Sequence, residues 1–402
     1  MCASAQPISL NGPWRFHTGD NPSWAMPEYN DSKWELVDLT PTAGAHDGDV
    51  GLTNYVSGWQ AREHKGYTGF AWYRLRVPVP QHSQEPWVLA GPAAADDIYQ
   101  IFADGKLLGG IGDFSGANPS IYAIQPKFFT LPVTATDSMT VAIRVWAGPQ
   151  IIAGDPTSGG VRIAPITGTK TAVYPLYHKQ WMQTFWGYVV DAVEPLLFLI
   201  LAVLALRWYR YHPFYSWLAV SLILAGLVRA SQVFYFWGQW ESLDFYYWSK
   251  EIFWLPLSTC AWLITWIYWY ELKPRWLKPT VALLCFAYIA TRAISDVWQY
   301  HTINPNAATY SHIIHWVRIA LLILMIAIVI MGVMRQKRQL LLVLAIVLLL
   351  GIGLFAGELS SIGIKGIWFP FGVGVSRTQY VCALMVPLLF VLLCRKPVKK
   401  FQ

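Results

Sequence analysis

The sequence predicts an extracytoplasmic all-β sandwich followed by a seven-helix transmembrane α bundle. Three observations carry that prediction. Hydrophobic residues fill 55% of the 402 positions and charged residues only 13%, a balance foreign to ordinary soluble globules. The apolar residues are unevenly spread: up to about residue 175 they come in short segments broken by Gly, Pro or Asp, and beyond it in long runs. Charge divides in the same place, with 11 Lys and Arg against 15 Asp and Glu in the first 170 residues and 19 against 8 in the rest.

At the N-terminus, Ala3-Ser4-Ala5 before Gln6 has the small-x-small form of a signal-peptidase site, so residues 1–5 are expected to be the remnant of a signal peptide. Residues 6–170 form the sandwich. Within it FAWYRLRVPVP, DIYQIFADGKLLG and MTVAIRVWAG read as antiparallel strands bounded by turn residues. Asp104-Gly105 predicts a hairpin, because a two-residue turn needs positive φ at its centre. In TVAIRVW, Val141, Ile143 and Val145 alternate with Thr140, Ala142 and Arg144, which predicts one buried face. Residues 171–181 are a linker, 182–394 the transmembrane domain and 395–402 a short cytoplasmic tail.

Seven apolar runs are long enough to cross the hydrocarbon as helices, at about 182–207, 214–237, 247–270, 278–297, 310–334, 339–360 and 377–394. Arg292 and Asp296 interrupt the end of the fourth. Alternate connectors hold Arg207 and Arg210; Lys273, Arg275 and Lys278; Arg335, Lys337 and Arg338; and Arg395, Lys396, Lys399 and Lys400. The intervening connectors are poorer in positive charge, which places the tail in the cytoplasm and the sandwich outside. The basic excess therefore reports membrane orientation. The lipid bilayer is an expected partner and nucleic acid is not, since the polar part has no basic patch interleaved with aromatics. Four of the five cysteines (Cys260, Cys285, Cys382 and Cys394) lie in apolar runs and Cys2 is the fifth. Neither a disulfide framework nor a metal site is expected from them, and no cofactor is expected.

Asn11-Gly12-Pro13-Trp14-Arg15-Phe16, Ala71-Trp72-Tyr73-Arg74, Phe102-Ala103-Asp104-Gly105-Lys106 with Gly109, and Val141-Ala142-Ile143-Arg144-Val145 occur in that order. Together they resemble the signatures of the galactose-binding-like jelly roll that opens family 2 glycoside hydrolases. Asp104 stands where that family commonly has Asn. The resemblance implies a jelly-roll binding fold rather than a catalyst, because those enzymes carry their acidic pair in a separate barrel domain and none follows here. The chain is accordingly expected not to be an enzyme. A carbohydrate or other small ligand is expected around WQAREHKGYTGFAW, with Trp59 or Tyr67 stacking on a sugar and Arg62 and His64 supplying polar contacts. The other reading of this stretch is a polar loop that caps the sandwich.

Several charges fall inside the predicted spans. Asp191 and Glu194 are three residues apart, on one helical face, with Pro195 beside them. Arg229, Glu251, Arg292, Asp296, His315, Arg318 and Glu358, together with Lys250 and His312, fall in the outer halves or at the outer mouth. Charges at that depth cost several kcal/mol each, so they are expected to face the bundle, pair or line a wet cavity. A packing network and a ligand- or proton-responsive pocket remain alternative readings of the cluster.

A jelly roll outside, seven helices and a cytoplasmic end resemble the bacterial seven-transmembrane receptors with diverse intracellular signalling modules. The resemblance implies a sensor of the bacterial inner membrane that transmits ligand binding to a cytoplasmic output, either a separate signalling partner or a C-terminal output domain missing here, which could itself be enzymatic. Two rivals stand beside it. One is a transporter or channel with a periplasmic binding cap, for which Gly351, Gly353 and Gly357 are the nearest approach to a broken span. The other is a membrane enzyme acting on a glycan or lipid head group with Asp191, Glu194 or Glu358 as acid or base.

Overall fold

A computed structural model describes residues 6–46, 52–80, 85–116, 118–133, 136–296, 306–335, 340–361, 363, 366–368 and 372–394. Residues 1–5, expected to be a signal-peptide remnant, residues 395–402, expected to be a cytoplasmic tail, and the side chain of Asp296 lie outside the described set. The chain divides into two compact units that meet in sequence at Trp186 and Gly187.

The first unit is β-sandwich-like. Its strands are β1 (Ile8–Ser9), β2 (Pro13–Thr18), β3 (Glu35–Asp38), β4 (Gly69–Pro78), β5 (Trp87–Ala90), β6 (Ala94–Asp96), β7 (Ile98–Ala103), β8 (Lys106–Ile111), β9 (Phe128–Thr130), β10 (Ser138–Ala147), β11 (Gly160–Ile163) and β12 (Ile166–Thr169). Helix α1 (Pro149–Gly154) precedes β11, and α2 (Lys170–Phe185) follows β12. A six-stranded sheet runs β3-β2-β4-β10-β7-β8 and a four-stranded one β1-β12-β5-β9, all antiparallel. Residues from both sheets, among them Trp14, Phe16, Leu89, Ile101 and Ile143, fill one core. Val173 of α2 covers Val88 and Ala90 on the other side of the four-stranded sheet.

The predicted hairpin is present between β7 and β8, with Asp104 at φ 43° and Gly105 at φ 80°. The alternation in β10 holds for Val141, Ile143 and Val145, which are fully buried. The opposite face departs from expectation, because Thr140 and Ala142 are buried too. Trp24 and Trp34, from the segment joining β2 to β3, pack over Trp72 and Ala142 there. Arg144 stays soluble on that face by pairing with Asp20.

One buried carboxyl gives the sandwich a pH signature. Asp97 accepts the Gly148 N–H at 2.8 Å, and burial, reinforced by the neighbouring Asp96, pushes its carboxyl up to about 7. A carboxyl raised in the fold favours the protonated form, so its contribution is fully present below the unfolded value near 4 and is lost as pH climbs through 7. The loss runs at about 1.4 kcal/mol per pH unit across that window. Thermal midpoints of the full chain should therefore fall between pH 4.5 and 8, and Asp97→Asn should flatten the fall. Parallel curves for the two proteins would remove Asp97 from the account.

The second unit is helical: α3 (Tyr188–Leu206), α4 (Pro213–Gln232), α5 (Leu243–Tyr246), α6 (Leu255–Trp269), α7 (Leu277–Asp296), α8 (Ala307–Arg335), α9 (Leu340–Leu354), α10 (Ala356–Ser361) and α11 (Arg377–Cys394). A π-helical stretch extends α4 over Val233–Trp237, and another joins α5 to α6 over Tyr247–Trp254. In α3, Phe198, Leu201, Ala202 and Ala205 face the core while Leu196, Leu199, Ile200 and Val203 are exposed. A helix apolar on every side belongs in lipid.

Among the described residues, six segments are long and apolar enough to cross a membrane: Lys170–Leu206, Pro213–Trp237, Leu243–Trp269, Leu277–Ser295, Thr309–Arg335 and Arg377–Cys394. They mark a membrane protein. The remaining apolar run is a shorter helix, Leu341–Leu354, so six of the seven expected spans are full-length helices and the expected run at 339–360 is an interrupted segment. The interruption has a local cause, since the Leu354 carbonyl accepts from Arg318 at 2.9 Å and the Ala356 carbonyl from Arg377 at 2.7 Å.

Candidate functional site

Asp191 lies in the first turn of α3 and Glu194 one turn on, so both carboxylates leave the helix on one side. Arg229, in the last turn of α4, meets them there. Its Nε donates to Glu194 Oε2 at 2.7 Å, its Nη2 pairs with Asp191 Oδ1, and its Nη1 donates to Gln232 Oε1 at 2.7 Å. Gln379, at the start of α11, completes the cluster. Its Nε2 donates to Asp191 Oδ2 at 2.7 Å and to the Gly187 carbonyl at 3.1 Å, while its Oε1 accepts the Ser376 N–H at 2.6 Å. All four side chains are buried. Glu194 Oε1 has no hydrogen-bond partner among the described residues.

Two carboxylates thus share one guanidinium in a desolvated place. In such a setting the charges hold one another in register, because separating any of them leaves an uncompensated ion in a medium of low dielectric. Two consecutive helices, α3 and α4, are tied at this point to α11, which is distant from them in sequence. A small cavity of about 60 Å³ lies against Arg229, lined also by Ser258, Thr378 and Cys382.

The other charges expected in the spans divide into two further groups. Glu251 pairs with Lys250 at 3.0 Å and with Arg292 at 3.4 Å, on the π-helical stretch and α7. Arg318 of α8 grips Glu358 of α10 through both carboxylate oxygens and donates to the Tyr288 hydroxyl at 2.8 Å. His315 is exposed and forms no ion pair among the described residues; with Glu358 it lines a mainly apolar cavity of about 680 Å³ between α8 and α9. The sequence singled out the charges but not Gln379, because nothing in an isolated amide marks it as the partner of a carboxylate 188 positions away. Among the described residues no group of three or more His, Cys, Asp or Glu side chains has the arrangement of a metal site.

In the β unit, Trp59 and His64 pack against Phe16, and Tyr67 packs against both of them. Trp59 is 1% exposed, and its indole N–H donates to the Tyr67 carbonyl at 3.0 Å. Its ring therefore has no free face for a sugar, which corrects the stacking role expected of it. Gly160 makes the fit possible: it sits at φ +87°, and a Cβ there would lie 2.1 Å from the Tyr73 hydroxyl. The Tyr67 hydroxyl donates to the Phe70 carbonyl at 2.6 Å and accepts the Gly19 N–H at 3.0 Å. Arg62 donates to the Asp38 and Ser57 carbonyls, and His64 meets Glu35 at 2.9 Å.

The open cavity of this unit lies on the other face of the six-stranded sheet. It measures about 380 Å³, and its lining includes Arg15, Tyr29, Asn30, Asp31, Arg76 and Thr140. The sequence held a signal for it, because Arg74 and Arg76 share a parity with Trp72 and so must lie together on one face of β4.

No family model matches the chain, and no curated protein matches it. Similar solved structures match it over the β region. They include the β-glucuronidase of Bacteroides uniformis (24% identical, covering 40% of this chain and 17% of that one, TM-score 0.29). A β-glycosidase of Bacteroides vulgatus is 18% identical, covering 41% and 20%, with TM-score 0.27. A family 2 glycosyl hydrolase of Bacteroides cellulosilyticus is 14% identical, covering 40% and 20%, with TM-score 0.29. The chain spans no more than a fifth of each of these enzymes. The expectation that the chain is not an enzyme is corrected by these findings, since the structures it is similar to are glycosidases.

Proposed function

We propose that the chain is the sensing part of a bacterial seven-transmembrane receptor. In this reading the β unit is a jelly roll on the extracytoplasmic side of the inner membrane and binds a carbohydrate. α9 and α10 together make the seventh span, and the lysine- and arginine-rich connectors face the cytoplasm. The helices pass the signal to a cytoplasmic signalling partner or to a C-terminal output module.

The observation that carries the reading is the Asp191–Glu194–Arg229–Gln379 cluster. A ligand moves an equilibrium only by binding two arrangements unequally. Packed helices joined by a few strong polar contacts switch between discrete arrangements, because partial displacement strands buried charges. Gln379 is the weakest tie in the cluster, a neutral amide holding α11 to α3 through Asp191 and Gly187, and it is where α11 separates first.

The test is a distance measurement between spin labels at Val220 and Leu384, two exposed positions on α4 and α11, in a background whose own cysteines are replaced. A saccharide that binds the full chain in nanodiscs should shift the distance distribution, and Asp191→Asn should shift it without ligand. Distributions that ignore both changes would falsify the receptor reading.

A further inference from the structure

Register places three arginines side by side on the outer face of the six-stranded sheet. Arg15 of β2 is directly opposite Arg74 of β4. Arg76 lies two residues along β4 on the same face, opposite Thr140 of β10. Like charges directly opposite one another destabilise a sheet unless something neutralises them. Asp31 neutralises Arg74, accepting from its Nε at 2.9 Å. Among the described residues neither of the other two guanidiniums has a carboxylate partner. Arg15 spends one nitrogen, Nη1, on the Trp34 and Ser32 carbonyls at 3.1 and 3.5 Å. Arg76 is exposed and has no hydrogen-bond or ionic partner among the described residues.

Both open onto the cavity of about 380 Å³, within the range of roughly 300–1,000 Å³ usual for small-molecule sites. Beside the Asp31–Arg74 pair, its remaining walls are of two kinds. Pro13, Pro27 and Leu36 present apolar surface, and Leu36 is 61% exposed although it sits on a strand. Tyr29, Asn30 and Thr140 present hydroxyl and amide groups. A ligand that suits all of this carries a negative charge, several hydroxyls and an apolar ring face. A bare inorganic anion leaves the apolar walls unused, and a neutral sugar leaves two guanidiniums uncompensated.

We propose that this cavity binds a carboxylate-bearing saccharide of the hexuronate type. The carboxylate sits between Arg15 and Arg76, whose planar forks suit it. The apolar face of the ring lies against Leu36 and Pro13, and the hydroxyls reach Asn30 and Thr140. This deepens the proposal that the β unit is carbohydrate-binding and moves its site from the Trp59 loop to the arginine face.

Isothermal titration of the full chain in nanodiscs tests it, with glucuronate, galacturonate, glucose, galactose and inorganic phosphate as probes. A uronate should bind at least about tenfold more tightly than its neutral counterpart, the scale set by one charge-assisted hydrogen-bonded contact. Arg15→Gln and Arg76→Gln should each weaken uronate binding about tenfold. Arg76→Gln should leave the thermal midpoint in place, because that side chain is exposed and holds nothing. The inference is overturned if neutral sugars bind as well as uronates, if phosphate binds as well as either, if no probe binds, or if Arg76→Gln leaves uronate affinity unchanged. The spin-label distances keep this outcome separate from the receptor reading: uronate binding without a helix response sinks the receptor alone, and a helix response to a neutral sugar alone sinks the uronate site.

Discussion

Replacing Arg229 by Met is expected to destabilise the helical unit by about 3–5 kcal/mol, the usual cost of breaking a buried ion pair by removing one partner. Asp191 and Glu194 are both essentially inaccessible, so neither recovers water when the guanidinium goes. Met keeps the length and volume of the stem, which separates the electrostatic loss from a cavity effect. The reverse design sharpens the test. Asp191→Asn, Glu194→Gln and Arg229→Met together remove every charge, while an amide at position 191 can still bond Gln379. A neutralised cluster of similar volume is commonly as stable as the charged one or more so. The triple variant should therefore regain most of what Arg229→Met loses, and the two carboxylate changes alone should cost an intermediate amount, since they leave the guanidinium buried without a counter-ion. Helix content followed by circular dichroism at 222 nm during heating in detergent reads all three. A loss below about 1 kcal/mol for Arg229→Met would mean that water already reaches the cluster, as it does for exposed pairs.

Much of this arrangement is legible in the sequence because membrane insertion imposes few and strong rules. Runs of apolar residues must be helices there, and a charge inside one must find a partner. Asp191, Glu194 and Arg229 therefore announce themselves in a linear reading, and the pairing of two carboxylates on one helical face follows from the period of 3.6. Which partner each one finds is a tertiary matter. Glu358 and Arg318 meet where the helix breaks after Leu354, whose carbonyl the same guanidinium takes, and nothing in the linear pattern marks that break. In the β unit the limits are different. Alternation identifies the two faces of a strand but not what covers the second. The segment carrying Trp24, Tyr29 and Trp34 has no strand periodicity, yet it folds over the six-stranded sheet and buries Ala142 and Trp72. Trp59 misled for a related reason. An aromatic in a polar, glycine-rich stretch resembles a sugar platform, but here Gly159 and Gly160 let the backbone close on its ring.

Arg74→Met is the second large effect, expected at about 3 kcal/mol from the unsatisfied carbonyls it leaves together with the lost ion pair. The guanidinium is 2% exposed and serves as the fastening of the covering segment. It donates to Asp31, to the Met26 carbonyl at 3.0 Å, to the Tyr29 carbonyl at 3.4 Å and to the Trp24 carbonyl. It also lies over the rings of Tyr29 and Trp34 at 5.6 and 5.9 Å. Arg74→Lys should rescue little, because an ammonium offers one compact charge where a planar fork reaches several carbonyls at once. The loss is local in kind: residues 19–34 should exchange their amide hydrogens faster in Arg74→Met, while those of the opposite core, around Ile101 and Ile143, keep their protection. Tyr29, Asn30 and Asp31 belong both to that segment and to the wall of the arginine cavity. Arg74→Met should thus lower uronate affinity well beyond the roughly tenfold expected for Arg76→Gln, through a wall that is no longer held in place. Unaltered exchange across residues 19–34 would show instead that the aromatic packing of Trp24 against Trp34 and Trp72 suffices to hold the segment, and the arginine would then be a passenger in a hydrophobic closure.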